Sequence, residues 1–190
     1  FDIPVQHLAD PVLARMGRRT TWEDIRTLVT RIREEVPGAV LRTTCITGFP
    51  GETAADFTLL LKRIREIGFD KLGAFRYSQE EGTPAALMPD TVNKKTAAAR
   101  YRKLMLLQRR ISADRLARHI GSVLPVLVEE RLAAADDEAG TLYIGRSPHD
   151  APDVDGAVVL HTGRTEDLTA RIVPVRIGKS SDYDLYGETE

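Results

Sequence analysis

Two short β-branched runs, residues 40–46 and 72–77, flank a stretch of helical period, and the same rhythm precedes them. Between the runs lie a turn, Gly48-Phe49-Pro50-Gly51, and a helix capped by Thr53 with Asp56 three residues on. That helix places Phe57, Leu60, Leu61 and Ile64 on one face and stops at Gly68. Upstream, residues 1–5 read as a strand end, and Asp10 is positioned to cap a short helix whose first residue is Pro11. Residues 21–36 carry Trp22, Ile25, Leu28, Val29 and Ile32 at helical spacing before Pro37-Gly38. Strands alternating with helices at this spacing prescribe βαβ units and a parallel sheet. A loop over 78–92 leads into a helix from Asn93 to about 119, basic on its outer face.

From Gly121 the pattern changes to short β-type runs at 123–128, 142–144, 157–160, 170–177 and 185–186, separated by polar turns. This spacing fits a small antiparallel barrel. Residues 133–140 read as an acidic, Ala-rich hairpin tip, expected to be mobile. The expected domains are therefore 1–120 and 121–190. Charge separates them too: 21 Lys and Arg against 14 Asp and Glu in the first give +7, and 6 against 14 in the second give −8. No apolar run reaches the length of a membrane span. One cysteine, Cys45, and four scattered histidines exclude a disulfide framework and a metal centre built from this chain, and they fit a reducing, intracellular setting. Since the chain opens on Phe1, it is expected to be a piece of something longer.

In a parallel α/β sheet, ligands sit at the carboxyl ends of the strands. Three such ends are visible. The first carries Gln6-His7, a pair that fits a ligand contact or a polar strand end in water. The second is the turn from Gly48 to Glu52, whose glycines let backbone approach a ligand and whose carboxylate can accept from an amine or hydroxyl. It serves equally as a tight strand-to-helix connection, with Glu52 favouring the helix amino end. No Lys-Ser or Lys-Thr follows, so it is not a P-loop. The third end, Phe75-Arg76-Tyr77-Ser78, offers rings for a planar ligand or for core packing. Arg42 fits a carboxylate partner or a surface ion pair. Cys45, inside an apolar strand, reads as an inert thiol. No acid–base pair, triad or metal cluster emerges from spacing.

The runs FDIPVQH, RTTCITGFPGET and FRYSQEEGTPA, with the long helix through QRRISADR, resemble the C-terminal part of the radical S-adenosylmethionine methylthiotransferases. Residues 121–190 resemble the TRAM domain that closes those enzymes. One branch of the family modifies an isopentenyladenosine beside the tRNA anticodon; another modifies the β-carbon of an aspartate in small-ribosomal-subunit protein twelve. GRS at 145–147, DAPDVDG at 150–156, DYDLYGE at 182–188 and SQEEGTPA at 78–85 are similar to the second branch, with Pro148-His149 departing from its pattern. The acidic tail agrees, because it would repel tRNA and attract a basic ribosomal protein.

The resemblance implies part of a radical S-adenosylmethionine (β/α) partial TIM barrel followed by an OB-like TRAM barrel. It implies that Gln6, Gly48, Pro50, Gly51 and Glu52 line S-adenosylmethionine, with Arg42 toward the methionyl carboxylate and Phe75 near the adenine. Arg146, Asp150, Asp153 and Asp155 are then the docking residues for the basic protein substrate. Two 4Fe-4S clusters would be held by cysteines upstream of Phe1, so no catalytic residue or metal ligand is expected in this chain, and alone it should be inactive. The expected setting is cytoplasmic, with neither tRNA nor a membrane as partner. The alternatives are the tRNA-modifying branch and an RNA-binding TRAM module.

Overall fold

The computed structural model describes residues 1–132 and 140–190, so the expected tip at 133–140, apart from Gly140, lies outside the described residues. The chain divides into two compact units, Phe1–Ile111 and Ser112–Glu190.

The first unit contains α1 (Asp10–Arg15), α2 (Trp22–Glu35), β1 (Arg42–Thr47), α3 (Ala54–Ile67), β2 (Lys71–Arg76) and most of α4 (Lys94–Leu116). β1 and β2 pair in parallel, Arg42 opposite Lys71 through Thr47 opposite Arg76. Both α2 and α3 begin with a complete capping box, Thr21 with Asp24 and Thr53 with Asp56. Each box satisfies amide groups that a helix start otherwise leaves orphaned. Along β1, Thr43, Cys45 and Thr47 are buried while Arg42, Thr44 and Ile46 are only half-buried. The core gathers Cys45 and Leu41 with Phe57, Leu60 and Ile64 of α3, Ile25 and Val29 of α2, and Leu104 of α4. Leu28, expected on the apolar stripe of α2, is instead 45% exposed.

Residues 1–5 do not form a regular strand. They run alongside β1 but are joined to it by two isolated parallel bridges, Asp2 to Arg42 and Gln6 to Cys45. Pro4 has no amide to give to a ladder, and the Val5 amide donates to Thr43 Oγ1 at 3.3 Å instead. Thr43 Oγ1 in turn donates to the Ile3 carbonyl at 2.7 Å. Asp10 does not cap α1 either. Ala9 holds that position without a side-chain bond, and Asp10 Oδ1 accepts from the Trp22 amide at 2.6 Å. Asp10 thereby ties the start of α2 to α1 rather than closing its own helix.

The second unit is a closed barrel of β3 (Val123–Arg131), β4 (Thr141–Arg146), β5 (Val158–Thr162), β6 (Ile172–Ser180) and β7 (Leu185–Thr189), in the order β3-β4-β5-β7-β6. Four seams are antiparallel, and β5 pairs with β7 in parallel. A ring of five strands cannot alternate direction all the way round, so closure forces one parallel seam. Inward-pointing Val126, Val128, Tyr143, Leu160, Val175 and Ile177 fill the barrel. The alternating burial of β6 shows the period of two expected for a strand with one wet face.

Candidate functional site

In the first unit the turn after β1 is built around one buried carboxylate. Gly48 adopts φ +78°, a left-handed conformation that favours glycine. A Cβ at this position would stand 2.5 Å from the Cβ of Ala97. The freed backbone turns its amide inward to Glu52 Oε2, which accepts it. The same oxygen lies 3.2 Å from Arg100 Nη1, and Arg100 also donates to the Glu52 carbonyl at 2.9 Å. Glu52 Oε1 faces His7 Nε2 at 3.6 Å. The guanidinium of Arg100 stands 5.6 Å from the centre of the Phe57 ring, which covers its flat face with apolar carbon.

Of the residues the sequence points to, Gly48, Pro50, Gly51 and Glu52 therefore come together in one turn. Pro50 is buried beside Phe49, whose ring meets Tyr77 edge-on at 5.3 Å. The Gly51 amide donates to the Asp90 carbonyl at 2.9 Å. Gln6 joins them at the end of β1, at φ +63°, with its carbonyl accepting from the Ile46 amide at 2.7 Å. Phe75 points out of the sheet and is 62% exposed. Arg42 stands apart: it opens β1, five residues before Thr47, or about 16 Å along a strand from the ligand-binding end. Cys45 is buried, and desolvation alone pushes its thiol up to about 12, in keeping with an inert side chain.

Spacing places His7 with Gln6 at a strand end, but the structure turns it away from water and against Glu52, and no strand-end motif points to Arg100. His7 is fully buried, and its Nδ1 accepts from the Ala9 amide at 2.9 Å. An accepting Nδ1 leaves the ring proton on Nε2, aimed at Glu52. The one sequence signal for Arg100 is its helical spacing from apolar Ala97 and Leu104, both buried, on a face where a long side chain can reach inward.

In the second unit the expected docking residues shape their own loop. Arg146 Nε pairs with Glu129 Oε1 at 2.6 Å. Asp150 Oδ2 accepts from the Ser147 hydroxyl at 2.6 Å and its amide at 3.2 Å. Asp155 Oδ2 accepts from the Ala151 amide at 2.8 Å. Asp153 is exposed, at φ +60°. A Cβ on Gly156 would overlap the Tyr183 carbonyl oxygen, so only glycine lets the loop run against the β6–β7 turn. The Ala157 amide then closes onto Asp184 Oδ1 at 3.0 Å. This is what DAPDVDG and DYDLYGE do together: one segment bends, the other receives it.

Among the described residues, no three His, Cys, Asp or Glu side chains gather as a metal-ligand set, and no helix is long and apolar enough to cross a membrane. The arrangement offers a rigid backbone turn at the carboxyl end of a parallel sheet, beside an open ring, and an acidic loop on a separate barrel.

Residues 120–189 match the TRAM domain family. The chain is 44% identical over 99% of its length to the ribosomal protein uS12 methylthiotransferase RimO of Alkaliphilus oremlandii, covering 42% of that protein. The proteins of the same name from Geobacter sulfurreducens and Pelobacter propionicus are 49% and 47% identical over 99% and 100% of the chain, which covers 41% of each. The chain thus spans less than half the length of the curated relatives it matches. Through both of its units, it corresponds to the C-terminal part of the uS12 methylthiotransferases and carries their TRAM domain.

Proposed function

We propose that this chain is the trailing part of a radical S-adenosylmethionine enzyme that methylthiolates the β-carbon of an aspartate in ribosomal protein uS12, in the cytoplasm. The observation that carries this reading is the similarity to uS12 methylthiotransferases running through both units at 44–49% identity. S-adenosylmethionine, when bound, supplies the radical and methyl chemistry of such a reaction.

The residues present fit that cofactor at one place, the end of β1. Gly48 offers a left-handed backbone that a side chain would obstruct, Gln6 sits beside it, and the Phe75 ring is open to a flat partner. In this reading Glu52 works from behind: its carboxylate fixes the Gly48 amide and anchors to Arg100, so the turn meets the ligand preformed. Arg42 opens β1, at the end of the strand away from this turn. Iron–sulfur clusters do not fit the described residues, which contain one buried thiol and no grouped ligands. Their ligands belong to other parts of the enzyme.

The acidic barrel is the docking element for uS12, a ribosomal protein whose basic surface it attracts, and Asp153 is its outward charge. The test is association of the chain with purified uS12, followed by biolayer interferometry against salt. Association that slows with rising salt, and slows further for Asp153→Lys, supports the reading. A chain that ignores uS12 and captures a tRNA anticodon stem-loop overturns it.

A further inference from the structure

The loop after β2 stands out by its charge. Residues 78–92 hold Glu80, Glu81 and Asp90 but no Lys or Arg, inside a segment, 1–120, that totals +7. Local bonds fix its course. Gln79 Nε2 donates to the Ala86 carbonyl at 2.9 Å. The Thr83 hydroxyl donates to the Glu80 carbonyl at 2.8 Å and accepts from the Ala86 amide at 3.3 Å. Pro84 then opens a short 3₁₀ helix, Pro84–Leu87. Bent in this way, the loop forms a cavity of about 610 Å³ with Gln79, Glu81, Pro84, Ala86 and Leu87 among its walls. Gly48, Pro50, Gly51 and Phe75 take no part in its lining. Leu87 is 88% exposed, more than any other large apolar side chain among the described residues. Glu80 and Glu81 are exposed as well, and among the described residues neither carboxylate has an ion-pair or hydrogen-bond partner.

An apolar wall and an unpaired carboxylate in one small cavity make two different demands on an occupant. The leucine gains by leaving water, whereas the carboxylate loses its hydration unless a cation meets it. A phosphate chain is repelled here. A metal ion finds too few ligands, since among the described residues no three His, Cys, Asp or Glu side chains gather. Lysine and arginine answer both demands: their apolar stems lie along such a wall while the charged tip stays at the wet rim. Because the loop's own bonds hold the walls in place, little ordering is left to oppose binding.

We propose that this cavity receives a lysine or arginine side chain from an extended segment of the protein client. The proposal rests on the uS12 reading for the identity of the client, not for the chemistry of the cavity. It gives the first unit a contact of its own with the client, selective for one type of side chain.

The test is amide NMR of the isotope-labelled chain, titrated with the peptide acetyl-Gly-Ala-Lys-Ala-Gly-amide and with its norleucine counterpart, which keeps the stem and lacks the charge. The lysine peptide should shift resonances within residues 79–87. The norleucine peptide should bind about two- to fivefold more weakly, the range of a solvent-exposed ion pair. Glu81→Gln should abolish that difference. Leu87→Ser should weaken both peptides about threefold and leave the difference in place. The control Leu28→Ser, Glu34→Gln, at exposed positions of α2, should change neither affinity. Amide spectra that match the parent outside the loop show that each variant is folded.

A lysine peptide that leaves the resonances of 79–87 unmoved overturns the proposal. So does a norleucine peptide of equal affinity, and so does a difference that survives Glu81→Gln. Spermidine that displaces the lysine peptide at a lower concentration also overturns it, because the cavity then serves a free amine rather than a protein. None of these outcomes touches the uS12 association experiment, so the two readings fail separately.

Discussion

The imidazole of His7 and the carboxylate of Glu52 face each other across 3.6 Å, Nε2 to Oε1, where neither side chain meets solvent. Arg100, on α4, reaches the other carboxylate oxygen at 3.2 Å. One carboxylate thereby joins the loop after residue 5, the turn after β1 and a helix that begins some forty residues later in the chain.

Removing one partner of such a buried set leaves a charge without compensation. Glu52→Ala should therefore lower the stability of the first unit by about 3–5 kcal/mol. Glu52→Gln keeps an acceptor for the Gly48 amide and should lose less. Urea unfolding followed by circular dichroism measures both; a Glu52→Ala chain as stable as the parent would show that the cluster contributes nothing.

Gly48→Ala combines two penalties, a left-handed backbone and an overlap with Ala97. Together they should cost roughly 2–4 kcal/mol. The double variant Gly48→Ala, Ala97→Gly relieves the overlap and keeps the backbone strain, so it should recover part of the loss. Full recovery, or none, in the same denaturant titration would assign the cost to only one of the two causes.

Burial raises the Cys45 thiol from its ordinary 9.0 to about 12. A folded-state value above the unfolded one means that the folded chain keeps a proton the unfolded chain releases. Its stabilising effect is whole below pH 9 and is lost as pH climbs from about 9 to about 12. The stability difference between the parent and Cys45→Ala should shrink across that window and stay flat below it. Native protein at pH 8 should also resist a thiol reagent that labels it at once in guanidinium.

In the second unit, Gly156→Ala drives a methyl group into the Tyr183 carbonyl and should cost about 1–3 kcal/mol. Asp153 is exposed but holds φ +60°, so Asp153→Asn, which tolerates that backbone, should shift thermal stability by no more than about 0.5 kcal/mol. If uS12 docks on this loop, the pair separates structure from recognition: both should slow uS12 association, and only Gly156→Ala should lower the melting temperature.

Much of this architecture is legible residue by residue. Thr21 and Thr53 announce helix starts because a capping box is a local device, complete within four residues. The alternation along β6 is likewise local. Residues 1–5 misled because their apolar character suits a strand, whereas Pro4 among them and the Thr43 hydroxyl, distant in sequence, decide their bonding. Asp10 misled for the same reason: Trp22, twelve residues on, competes for its carboxylate.

The amino-acid order by itself determined the parallel βαβ rhythm, the switch to short strands after Gly121, and the opposed charges of the two segments, since each follows from neighbours within a turn or a strand. Only the tertiary structure decided that Glu52 turns inward to Gly48, His7 and Arg100, that Asp10 binds the Trp22 amide rather than its own helix, and that five strands close with one parallel seam. Those facts depend on which distant groups arrive beside a buried charge or an open edge, and no local pattern encodes an encounter across forty residues.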